Sequence, residues 1–132
     1  MTHLTALIIE DEPKLGVIYD TVLRQAGYET EIIRRGDEAL QRLRHTTPTL
    51  ILLDIHLPYV SGLDLLKVIR VTESLAKTPV IVLTADLYLA QTLEDQADYV
   101  LIKSFGVSRL RELVTRLASA NTSSTGNADA TC

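Results

Sequence analysis

LILLDIHLPYVSG, residues Leu50–Gly62, decides how the chain folds. Four large aliphatics run without a polar break and end on an acid, Asp54; Pro58 and Gly62 follow four and eight residues later. An apolar run without alternation marks a short strand covered on both faces, the kind that parallel sheets contain. That such a strand stops on a carboxylate needs no function by itself, because strands end in loops and loops are polar. The acid becomes informative only if other charged residues reach the same edge of the sheet.

Working outward, the same rhythm repeats. Ala6–Ile9 is an apolar run that ends on Glu10-Asp11-Glu12, and Pro13 then suits a first helical turn. Leu15, Ile18, Val22 and Ala26 follow at helical spacing, and Gly27 closes that helix. Glu29–Ile33 reads as a more polar strand near an edge. A short helix over residues 36–44 turns Ala39, Leu40 and Leu43 inward, and Pro48 precedes the Leu50–Leu53 strand. Residues 63–70 restart a helix with Leu65, Leu66 and Ile69 on one side. Pro79–Leu83 is a buried strand ending on Thr84, and a short helix is expected across residues 85–96. Tyr99–Ile102 is a fifth strand ending on Lys103, and Val107, Leu110, Val114 and Leu117 mark a last amphipathic helix. Five strands alternating with helices predict an α/β fold: a doubly wound, five-stranded parallel sheet in the flavodoxin-like order 2-1-3-4-5, with helices on both faces. Residues 1–118 are read as one domain. Residues 119–132, SANTSSTGNADATC, hold no large aliphatic and are read as a disordered tail or the start of a linker.

Composition narrows the function classes. The 132 residues are 46% apolar and 23% charged, enough for one globular core. The net charge of −4 and pI of about 5.3 weigh against nucleic acid as a direct partner. No apolar run approaches the roughly 20 residues of a membrane span, and the N-terminal MTHLTALIIEDEP has no secretory pattern. A single cysteine, Cys132, excludes an intramolecular disulfide, in keeping with a cytoplasmic setting.

In a sheet of this order the crevice opens at the carboxyl ends of the strands, between strands 1 and 3. Glu10 and Asp11 arrive there from strand 1, Asp54 from strand 3, Thr84 from strand 4 and Lys103 from strand 5. Three carboxylates close together repel one another, and a hard cation such as Mg²⁺ relieves that. A lysine and a hydroxyl on the far side suit a phosphoryl group. An aspartate is able to attack phosphorus and form an acyl phosphate, and Asp54 stands alone on its strand while Glu10 and Asp11 form a pair suited to metal. Taken singly, each residue has a plainer reading: the acids favour a helix N-terminus, and Lys103 is a solvated lysine. Their joint placement is what argues for chemistry.

Four stretches, IIEDEP (Ile8–Pro13), LLDIHLPYVSG (Leu52–Gly62), VIVLTA (Val80–Ala85) and VLIKSF (Val100–Phe105), together resemble the receiver domain of two-component response regulators. The resemblance runs from about Thr5 to Ala118. It implies that Asp54 is the phosphoacceptor, and that Glu10, Asp11, Asp54 and the backbone carbonyl of His56 hold Mg²⁺. Thr84 and Lys103 would contact the phosphoryl group. Phosphate would come from a histidine kinase or phosphotransfer protein and leave by hydrolysis. The chain would be a signalling domain and not an enzyme, with no direct nucleic-acid or membrane contact.

Three features depart from the family pattern. The span Thr84–Lys103 is about one helical turn short. Val100 occupies the position of the family's switch aromatic, three residues before the lysine, and Tyr99 beside it is expected on the opposite face of the strand. Ser104 replaces the proline that follows the lysine; a cis bond before it costs about 3–4 kcal/mol, so a trans bond is expected there, or a strained cis one held by its neighbours. These departures motivate an alternative, a receiver-like docking module that signals without phosphorylation. An aspartyl phosphohydrolase would need a second acid where His56 stands, and a nucleotide-binding domain a glycine-rich loop after strand 1. The arginines 34, 35, 42 and 44 read as a solvated basic face, as do Arg109, Arg111 and Arg116; His3 and His45 show no zinc spacing.

Overall fold

The computed structural model describes residues 3–103 and 106–131, with side-chain surroundings as far as residue 121. The expectations for Ser104 and Cys132 lie outside the described residues. The elements alternate: β1 (Thr5–Ile9), α1 (Pro13–Gln25), β2 (Glu29–Ile33), α2 (Gly36–Leu43), β3 (Leu50–Asp54), α3 (Gly62–Val71), β4 (Val80–Thr84), α4 (Leu87–Leu93), β5 (Tyr99–Ile102) and α5 (Val107–Thr131). The five strands pair in parallel in the order β2-β1-β3-β4-β5.

Side-chain alternation divides the core into two layers. Leu7 and Ile9, Ile51 and Leu53, Val80 and Val82 pack with Ala39, Leu65, Leu66 and Ile69, so α2 and α3 cover one face. Ala6 and Ile8, Leu50 and Leu52, Ile81 and Leu83 pack with Tyr19, Leu23, Leu110 and Val114, so α1 and α5 cover the other. All five residues of β3 and of β4 are buried, which is why those stretches read as unbroken aliphatic runs. β2 lies at an edge and shows it in an alternating exposure.

One local expectation needs revision. Ile18 was placed on the inner stripe of α1 but is 38% exposed; Tyr19 and Leu23 go inward instead. The rest of the expected stripe holds: Val22 is buried in that layer, and Leu15 and Ala26 pack against it. The backbone of α5 runs as helix to Thr131, and its described buried stripe is Leu110, Val114 and Ala118. No helix among the described residues is long and apolar enough to cross a membrane.

Candidate functional site

The site is built by strand phase. Leu52 on β3 and Ile8 on β1 are register partners facing α1 and α5, so Asp54 and Glu10, two residues on, face the same side and stand next to each other. The ladder extends through Glu10, whose N–H donates to the Ile33 carbonyl at 3.0 Å. On β5, Leu101 packs in that layer, so Lys103, two residues further, projects to the same side. Lys103 Nζ lies 3.3 Å from Glu10 Oε1 and 3.4 Å from Asp54 Oδ1.

Both carboxylates are deeply buried, Glu10 at 1% and Asp54 at 2% exposure. Burial pushes the Glu10 carboxyl up to about 7, and a hydrogen bond and the charge of Asp54 push the same way; the Glu12 N–H and Lys103 pull back. That N–H donates to Glu10 Oε2 at 3.2 Å. The His56 N–H donates to Asp54 Oδ1 at 3.0 Å. No buried side-chain nitrogen or oxygen among the described residues lacks a partner. The site is thus a satisfied network that carries more negative charge than its one lysine offsets.

Asp11 completes the set from an exposed position. Glu10, Asp11 and Asp54 each present an oxygen, and these atoms lie within 4.8 Å of one another. Mg²⁺ takes oxygens at about 2.0–2.1 Å in an octahedron, so shared donors sit about 3 Å apart when adjacent and about 4.2 Å when opposite. The three acids bring their oxygens to within reach of one such ion, two of them buried and Asp11 exposed. Glu12 does a different job from its neighbours: its carboxylate accepts the Lys14 N–H at 3.1 Å and caps α1.

Thr84 and Val100 follow the opposite phase. Val82 packs on the α2–α3 side, so Thr84 projects to that side too; it is fully buried, and its Oγ1 accepts the Asp86 N–H at 3.0 Å. Val82 pairs with Val100 and Thr84 with Ile102, so Val100 shares the face of Thr84. Tyr99 pairs with Ile81, lies on the other face and is 37% exposed, as strand alternation predicts. The helix between them, α4, has seven residues.

With acids, lysine and hydroxyl at the carboxyl edge of a 2-1-3-4-5 sheet, comparison with known proteins is direct. The family model of the response regulator receiver domain matches residues 6–115. The chain belongs to that family. The receiver domain is similar to the DNA-binding response regulator MtrA of Mycolicibacterium smegmatis, 35% identical over 116 residues that make up 84% of this chain and 47% of MtrA. The chain therefore spans about half the length of that relative. Its fold resembles chemotaxis response regulator CheY4 of Vibrio cholerae, with a TM-score of 0.79 at 25% identity, covering 88% of this chain and 99% of that one. It also resembles the receiver domain of the sensor histidine kinase PA1611 of Pseudomonas aeruginosa, solved with a magnesium ion in its active-site cleft (TM-score 0.79, 26% identity, 89% and 99% covered).

Sequence reading of this receiver domain missed residues that support the site from below and beside. Tyr19 of α1 is buried in the layer below the acids' face, and its phenol is raised by burial and then by the charges of Glu10 and Asp54. Helical spacing carried a signal for it, since Tyr19 lies four residues after Leu15 and three before Val22. Gly62 closes the loop after Asp54: a Cβ there would lie 2.4 Å from the Asp54 carbonyl oxygen and 2.5 Å from Ile55 Cα. The sequence showed that glycine as loop punctuation but not what it approaches.

Proposed function

We propose that this receiver domain takes a phosphoryl group onto Asp54 in the presence of Mg²⁺, from a phosphohistidine of a histidine kinase or phosphotransfer protein. The observation that carries the reading is the buried juxtaposition of Asp54 with Glu10 and Lys103, open to solvent at Asp11. A carboxylate oxygen of Asp54 attacks phosphorus, the phosphorus–nitrogen bond breaks, and the imidazole leaves carrying the electron pair of that bond. The His56 N–H, holding Oδ1 at 3.0 Å, orients the attacking carboxylate. Glu10, Asp11, Asp54 and the His56 carbonyl would hold Mg²⁺, which when bound offsets charge on the phosphoryl oxygens. Lys103 supplies a positive charge from the opposite side. Thr84 accepts from Asp86 and so keeps its own proton to donate to a phosphoryl oxygen.

The module signals and does not turn over a substrate. With Val100 on the face of Thr84 and Tyr99 on the other, no aromatic ring of β5 is placed to follow the threonine, and the response is routed through the loops after β3 and β4. The same observation favours a second reading, a docking module that works without phosphorylation. We further propose that the receiver unit ends near Ala118, with residues 119–132 leading into a linker, and that the protein works in the cytoplasm without membrane contact. Direct DNA contact is assigned to no part of these residues, in keeping with their acidic balance; the DNA-binding description belongs to MtrA, of which they match about half. Incubation with a small phosphodonor, with and without Mg²⁺, tests the reading by intact mass. A gain of one phosphoryl group that requires Mg²⁺ supports it, and no gain under either condition favours the docking module.

A further inference from the structure

The loop from Ile55 to Ser61 follows the phosphoacceptor and carries the His56 carbonyl, and its path is held from a second loop. Tyr59 has φ 71°, the one non-glycine residue among those described in the left-handed region. Bulky residues are sterically disfavoured there and persist where their surroundings hold them. Burial does not hold Tyr59, which is 74% exposed. What lies against it is Arg35, whose guanidinium carbon is 4.0 Å from the ring centroid. Arg35 is fixed in turn: Nε donates to Asp37 Oδ1 at 3.0 Å and Nη2 to Oδ2 at 2.9 Å, with Glu38 at 3.9 Å. The hydrogen bond to Asp37 raises the arginine and lowers the aspartate, so the pair stays charged. The backbones are joined beside it: the Gly36 N–H points to the Pro58 carbonyl at 3.4 Å, and a Cβ on Gly36 would lie 1.9 Å from the Val60 carbonyl oxygen.

We propose that Arg35, acting through the ring of Tyr59, is a positioning residue that sets the β3–α3 loop so that the His56 carbonyl and Asp54 present their oxygens to the cation. The proposal rests on the Mg²⁺ reading of the site. It takes an arginine that composition leaves on a solvated face and gives it a role in metal affinity. A flat guanidinium, oriented by two parallel hydrogen bonds, offers its face to a ring in a way an ammonium does not. The loop needs such a clamp because its strained residue has no core around it.

The test uses the full chain with Mg²⁺ as the probe, and reads both Mg²⁺ affinity and amide exchange of the metal-free protein. Arg35→Ala and Tyr59→Ala each weaken Mg²⁺ binding about 2- to 5-fold, the range of one exposed cation–π contact. The double variant binds no more weakly than either single one, and Tyr59→Phe binds like the parent. The amides of residues 56, 57, 59 and 60 exchange faster in both single variants while those of β1 and β3 do not change, which separates a positioning effect from general destabilisation. Unchanged Mg²⁺ affinity in both single variants, a double variant as weak as the product of the two, or faster exchange spread evenly through β3 overturns the proposal. A parent chain that binds no Mg²⁺ overturns the metal reading itself; a parent that binds, with Arg35→Ala binding equally well, overturns this proposal alone.

Discussion

Glu10→Gln should remove most of the pH dependence of stability that the metal-free site creates. The Glu10 carboxyl is pushed from an ordinary 4.5 to about 7 in the folded chain, first by burial and then by Asp54. Between those values the native state keeps a proton that the unfolded state has lost, so stability falls as the pH rises. The contribution is fully present below about pH 4.5, is lost on the way to about pH 7, and is flat beyond. At about 1.4 kcal/mol per unit the loss is about 3 kcal/mol, or on the order of 10 °C in melting temperature for a domain of this size. Glutamine has the shape of the protonated acid and does not titrate. The assay is urea unfolding in chelator at pH 5 and pH 8. The two proteins should be similarly stable at pH 5, and the variant should be more stable by about 3 kcal/mol at pH 8. An equal fall in both proteins between these pH values would refute the assignment of the raised carboxyl to Glu10.

Lys103→Ala should destabilise the metal-free protein at pH 8 by about 3 kcal/mol, because it strips the cation from two buried carboxylates, and by less at pH 5, where Glu10 is neutral; unfolding at both pH values checks this. Gly62→Ala forces a methyl into the Asp54 carbonyl and should cost about 1–3 kcal/mol in unfolding free energy, with phosphoryl uptake also slowed. Addition of a phosphoryl mimic should move amide shifts of residues 56, 57, 59–61 and 85–89 strongly while those of Tyr99 and Val100 stay near their starting values. A change at Tyr99 as large as that beside Asp54 would assign the switch to its ring.

Most of the fold was legible because β3 and β4 are covered on both faces, so Leu50–Leu53 and Val80–Leu83 could be nothing polar. The meeting of Glu10, Asp54 and Lys103 was legible for a related reason: strand order fixes which ends are neighbours, and alternation fixes the face. What was not legible depends on tertiary choices without a periodic signature. That Tyr19 is buried beside Val22 while Ile18 is exposed is set by how the side chains fill the layer against β1. The Arg35–Tyr59 contact joins two loops, and nothing in RRGDE or LPYVS marks a partner for either residue. The positive φ of Tyr59 was equally hidden, since glycine and asparagine, not tyrosine, advertise that conformation.

The central claim is that Asp54 is the phosphoacceptor, and mapping the modified residue tests it most directly. The chain is incubated with Mg²⁺ and a small phosphodonor, the acyl phosphate is reduced with borohydride, and the peptides are sequenced by mass spectrometry. The account predicts homoserine in place of aspartate at residue 54, with Glu10 and Asp11 unchanged. Reduction at Glu10 or Asp11 instead, with residue 54 still aspartate in the phosphorylated fraction, would contradict it.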